Sequence, residues 1–87
     1  MKQLSGKHEK TLKSIFAHPV PANISFADVA SLLIALGADM QEREGSRVRF
    51  ILQGRMFHTH KPHPKKEMGK MAIHDVREFL EGVGIRP

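Results

Sequence analysis

The chain contains no cysteine, no tryptophan and no tyrosine. The missing cysteines exclude a disulfide framework, cysteine-ligated zinc, iron–sulfur clusters and thiol nucleophiles, and they fit a reducing, cytoplasmic compartment. The missing indole and phenol leave five phenylalanines to supply all the aromatic packing. No apolar run approaches the length of a membrane span, and the polar N-terminus has no signal-peptide core, so no membrane partner is expected. With 87 residues there is room for one small domain, which buries only about 60–65% of the surface its unfolded chain exposes. Rossmann folds, TIM barrels and multi-domain enzymes are too large for it.

What is present is positive charge, unevenly placed. The net charge is +5. Residues 1–44 balance five basic side chains against five acidic ones, whereas residues 45–87 carry nine basic and four acidic. The entire excess therefore lies in the second half, and a localised basic excess favours a polyanionic partner such as a nucleic acid.

The apolar pattern predicts the order α-α-β-β-β-α, an α+β domain. Ser5 can cap a helix over 6–17 with Leu12, Ile15 and Phe16 as its apolar stripe, and His18-Pro19-Val20-Pro21 ends it. Ser25 and Asp28 form a capping pattern for a second helix, with Ile24 and Val29 placed as a hydrophobic staple. Phe26, Val29, Leu32, Leu33 and Leu36 follow at helical spacing, and Gly37 suits the position after the cap. A short polar stretch, 38–44, is read as a first strand. Residues 46–52 alternate as a second strand, Gln53-Gly54 is a turn signal, and 55–60 form the return strand. A basic loop, Lys61-Pro62-His63-Pro64-Lys65-Lys66, leads to a last helix near 70–82 with Ile73, Val76, Phe79, Leu80 and Val83 on one side. Met68 and Met71 are expected to fill gaps in the packing.

A two-residue turn at Gln53-Gly54 fixes the hairpin register. Leu52, Phe50 and Val48 then oppose Arg55, Phe57 and Thr59 on the apolar face, which must meet the helices. On the other face Ile51 opposes Met56, Arg49 opposes His58, and Arg47 opposes His60. A slip of one residue would bury the arginines. Ser46 and Lys61 lie at the edge of this Arg/His patch, and Lys65, Lys66 and Lys70 just beyond it. The Pro62-His63-Pro64 loop could simply stiffen the chain, or it could hold His63 and the lysines beside the last helix's N-terminus, where a phosphate would be favoured. Solvated strand faces often carry Arg and His, and that is one reading of the patch. The other is phosphate binding, in which Arg grips the backbone and imidazoles that titrate near neutrality move protons. RNA cleavage by its own 2′-hydroxyl needs a base, an acid and a cation, and no metal; Arg47, His58 and His60 are residues of the right types. His58, His60 and His63 do not suggest a zinc site, because no carboxylate or cysteine is close in sequence and the surroundings are cationic. No cofactor is expected.

Residues 24–85 resemble the HicA toxins of type II toxin–antitoxin systems. The resemblance is carried by Leu33-x-x-x-Gly37, the Gly45-Ser46 turn, Phe50, Pro62-His63-Pro64 and a final helix ending in Gly84-Ile85. It implies a fold like a double-stranded-RNA-binding domain, with a three-stranded antiparallel sheet and helices on one face. It also implies a small mRNA interferase that acts on mRNA and is held inactive by a HicB-type antitoxin. Residues 1–22 would be a helical extension of a divergent subgroup, within one domain whose core is 23–87. The family pattern places its catalytic histidine directly after the Gly-Gly or Gly-Ser pair, and here that position is Arg47. An arginine stays protonated and is a poor base. The expectation is therefore an endoribonuclease whose imidazole has crossed the hairpin. His60 and His58 would be the catalytic groups, Arg47 a phosphate clamp, and Ser46, Arg49, Lys61, His63, Lys65, Lys66 and Lys70 would bind RNA. The alternatives are a non-catalytic RNA-binding module of the same fold and a protein-interaction domain that docks an acidic partner.

Overall fold

Serine hydroxyls cap the starts of the first two helices, and glycines close the last two. A computed structural model describes residues 4–87. Helix α1 spans Gly6–Ile15, and the Ser5 hydroxyl caps it by accepting from the His8 N–H. It stops two residues short of the predicted end, because Phe16 leaves helical geometry ahead of the His18-Pro19 pair. Helix α2 spans Phe26–Ala35, with the Ser25 hydroxyl accepting from Asp28 N–H at 3.1 Å. Both staple residues, Ile24 and Val29, are buried. Helix α3 spans Lys70–Gly82.

Helices α2 and α3 close in the same way. Gly37 and Gly84 take positive φ (107° and 80°) just past the cap. The Ala38 N–H reaches back to the Leu33 carbonyl and the Ile85 N–H to the Leu80 carbonyl, each at 2.9 Å. These are Schellman closures, which satisfy carbonyls that the helix itself leaves unpaired.

Three strands form one antiparallel sheet in chain order: β1 (Asp39–Glu42), β2 (Arg47–Leu52) and β3 (Arg55–His60). The β2–β3 register matches the sequence reading pair for pair, from Leu52 opposite Arg55 to Arg47 opposite His60. The turn sets it: Gln53 (φ 51°) and Gly54 (φ 77°) are both left-handed, as a type I′ hairpin requires. Strand β1 is shorter than the predicted 38–44.

The inward sheet face carries Val48, Phe50, Leu52 and Phe57, all buried with Val29, Leu32 and Leu33 of α2 and Ile73, Val76 and Leu80 of α3. Phe26, Phe50, Phe57 and Phe79 form a continuous aromatic row from α2 through the sheet to α3, with centroid separations of 6.4, 6.4 and 5.3 Å. Helix α1 adds Leu12 and Ile15 to the same core. It is tied down by Arg77 of α3, a buried side chain that donates from Nε to the Ile15 carbonyl (3.0 Å) and from Nη2 to the Ala17 carbonyl (3.1 Å). Met68 is buried as expected, but Met71 is 74% exposed. Two residues before Ile73 on a helix, Met71 is turned about 200° from the core stripe. Among the described residues no helix is long and apolar enough to cross a membrane.

Candidate nucleic-acid interface

All three helices pack on the inward face, so the other face of the sheet is open. Its residues follow from the pairing. Strand β1 places Asp39 opposite Ile51 and Gln41 opposite Arg49. The ladder continues past the strand's end, because the Arg43 N–H donates to the Arg47 carbonyl at 2.8 Å. Combined with the β2–β3 register, this gives three rows across the open face. Arg43, Arg47 and His60 form the first, Gln41, Arg49 and His58 the second, and Asp39, Ile51 and Met56 the third.

Arg43, Arg47 and His60 of the first row and Arg49 and His58 of the second line a shallow cleft of about 190 Å³, which Val48 and Thr59 complete. His58 and His60 are both exposed, and among the described residues neither imidazole has a hydrogen-bond partner. They project from alternate positions of one strand, so their Cα atoms lie about 6.7 Å apart, and each has an arginine as its ladder partner on β2.

The arginines are held without being neutralised. Arg49 donates from Nε (2.9 Å) and from Nη2 to Oε1 of Gln41, a neutral amide. Arg47 donates from Nε to the Glu44 carbonyl at 3.4 Å. Both therefore keep their full charge toward the open face. Lys61 differs: its ammonium pairs directly with the Glu42 carboxylate, so much of its charge is already answered. Its backbone N–H bonds the Ser46 carbonyl at 2.8 Å, which places both residues at the rim, as predicted.

A second cleft, of about 400 Å³, is lined by Ser25, Phe26 and Ala27 at the start of α2 and by Lys61 to Lys66 of the basic loop. The sequence reading set this loop beside α3. The backbone bonds that define it run to α2 instead: Phe26 N–H to the Lys66 carbonyl (2.9 Å) and Met68 N–H to the Ile24 carbonyl (2.8 Å). The cause is a short antiparallel bridge between Ser25 and Glu67, which draws the loop across to the chain entering α2. His63, Lys65 and Lys66 thus gather next to the α2 N-terminus, while Lys70 opens α3 and lines neither cleft.

Two members of the open face are absent from the sequence reading, Arg43 and Gln41. Parity along β1 is the signal that marks them, since Asp39, Gln41 and Arg43 alternate on one side once β1 is set against β2. Among the described residues no three His, Asp or Glu side chains converge as a metal site would require. His74 pairs with Glu78 at 2.9 Å on the exposed side of α3. His8 bridges Ser5 and Ser31 between α1 and α2, at 3.0 and 2.8 Å. Both are interactions of the helical layer, away from the open sheet face.

Neither curated proteins nor solved structures gave a match to the chain. The family model described as the HicA toxin of bacterial toxin–antitoxin systems matches residues 26–84, a span that begins with α2 and holds the whole sheet, the basic loop and α3. Helix α1 lies outside it. The three-stranded antiparallel sheet with helices on one side agrees with that family's fold, and the chain belongs to the HicA toxin family.

Proposed function

We propose that this HicA-family toxin is an mRNA interferase that cuts RNA without a metal ion, using imidazoles on β3, and that a HicB-type antitoxin neutralises it in the cytoplasm. One observation carries the reading. His60 and His58 stand exposed on the open face, directly opposite Arg47 and Arg49. The family's histidine position is occupied by Arg47, and the imidazoles lie across the ladder from it.

The chemistry these groups supply is transesterification. One neutral imidazole takes the proton of a ribose 2′-hydroxyl, and the oxygen attacks the adjacent phosphorus. The protonated partner imidazole gives its proton to the departing 5′-oxygen. The products are a 2′,3′-cyclic phosphate and a 5′-hydroxyl, and the two histidines end in exchanged protonation states. Arg47 and Arg49, with Arg43 beside them, stabilise the additional negative charge on the phosphoryl oxygens. Ser46, Lys61, His63, Lys65, Lys66 and Lys70 would guide the flanking backbone.

The test is cleavage of a long labelled RNA in EDTA by the wild type and by His58→Ala, His60→Ala and Arg47→Ala. Cutting that survives EDTA and falls by about 10²–10⁴ on loss of either histidine is expected. Salt-sensitive binding without cutting would establish the second reading, an RNA-binding module, which the arginine at position 47 favours. Absence of RNA binding would leave a basic face that docks an acidic protein.

A further inference from the structure

The open face is graded along its strands. The first row is cationic, the second is cationic and polar, and the third pairs two apolar side chains with a carboxylate. Met56 is 57% exposed, which is unusual for a large apolar side chain in this molecule, and Ile51 beside it is only half-buried. Asp39 completes the row and is exposed. It is also linked to the cationic rows. The Gln41 amide donates from Nε2 to Oδ2 of Asp39 at 3.1 Å while its oxygen accepts from Arg49. That chain fixes the amide in one sense, with oxygen toward Arg49 and nitrogen toward Asp39. It occupies one carboxylate oxygen and leaves Oδ1 of Asp39 available.

We propose that Ile51 and Met56 form a platform for one nucleobase of the bound RNA, and that Asp39 reads that base by accepting from its exocyclic amino group. The inference rests on the RNA reading above and specifies its substrate preference. Rows one and three are four residues apart, about 13 Å along the strands. A nucleotide whose phosphates lie on Arg43, Arg47 and Arg49 would thus carry its base toward the third row. Among the described residues the third row has no aromatic ring, and a methionine supplies the alternative: a flexible, polarisable thioether that packs well against π faces. A carboxylate accepts hydrogen bonds and donates none, so it favours bases whose edge presents an amino group. Cytosine offers one. Uracil, with a carbonyl oxygen in the same place, would set oxygen against oxygen.

Binding of fluorescently labelled oligo(C) and oligo(U), read by anisotropy across a salt series, tests this with wild-type protein, Met56→Ala and Asp39→Asn. The wild type is expected to bind oligo(C) at least several-fold more tightly than oligo(U). Met56→Ala should weaken both by about two- to tenfold while leaving the salt slope unchanged, because no phosphate contact is lost. Asp39→Asn should bring the two oligonucleotides to within about twofold, since an amide both donates and accepts. Circular dichroism confirms that these exposed substitutions fold. If the wild type binds RNA but Met56→Ala binds equally well, or oligo(C) and oligo(U) bind alike, the platform is wrong and the RNA reading stands. If the wild type binds neither oligonucleotide, both fall together.

Discussion

The two faces of the β2–β3 hairpin are made from alternate residues of the same twelve positions, yet they answer to different constraints. Inward, Val48, Phe50, Leu52 and Phe57 are enclosed by α2 and α3, and their identity is set by volume. Outward, Arg47, Arg49, His58 and His60 make few contacts beyond a neutral amide and a carbonyl, and their identity is not needed for packing. The comparison teaches that a face holding this much unneutralised charge is maintained for something other than stability. Separating the two faces by substitution is the direct way to challenge that statement.

The largest effect is expected inward. Phe50 is fully buried at the middle of the aromatic row. Phe50→Ala should cost about 3–5 kcal/mol, a large share of the 5–15 kcal/mol available to a small domain, and should appear as a lowered urea midpoint. Arg49→Ala, the adjacent residue on the opposite face, should move that midpoint by about 0.5–1 kcal/mol or less. Equal losses at the two positions would erase the distinction between the faces.

Next comes the attachment of α1, which lies outside the region shared with the family. Arg77→Met removes two charge-assisted hydrogen bonds and leaves the Ile15 and Ala17 carbonyls without that donor. A loss of about 1.5–3 kcal/mol is expected. Hydrogen exchange should rise first in α1, with the hairpin amides unchanged. RNA binding should persist, because Arg77 faces the core rather than the open sheet.

A smaller effect is expected at the turn that assigns residues to faces. Gly54 has φ 77° with open space around it, so Gly54→Ala meets backbone strain and no clash. Destabilisation of about 1–2 kcal/mol follows, measurable by thermal unfolding. This turn is also why so much of the fold was legible. Gln53-Gly54 fixes a two-residue loop, alternation on both sides fixes the register, and together they assign Arg47, Arg49, His58 and His60 to one face. Strand β1 was less legible, because four residues reading Asp-Met-Gln-Glu carry little alternation in hydropathy and no short turn to set their partner. Arg43 and Gln41 were missed for that reason. Arg77 was missed although it lies four residues after Ile73 and three before Leu80, squarely within the buried stripe; its charge suggested surface, whereas the carbonyls at the end of α1 are what it serves. The docking of the basic loop on α2 depends on a single non-local bridge, Ser25 with Glu67, which no local pattern announces.

The smallest and most discriminating effect compares two cations on the same rim. Arg47 is bonded to a carbonyl and keeps its charge, whereas Lys61 is paired with Glu42. If the open face binds RNA through phosphates, each free cation in contact releases counterions and contributes about 0.7 to the slope of log K against log salt for a single strand. Arg47→Ala should therefore flatten the slope by about that amount without altering the urea midpoint. Lys61→Ala should flatten it much less, because removing the lysine also frees a carboxylate that was already offsetting it. The companion Glu42→Gln should steepen the slope by releasing Lys61 toward the RNA. Identical slopes for Arg47→Ala and Lys61→Ala would mean that the ion pair opens on binding and that both cations meet phosphate. A slope unmoved by Arg47→Ala would place the RNA backbone elsewhere, with the cleft at the start of α2, lined by His63, Lys65 and Lys66, as the surface left to carry it.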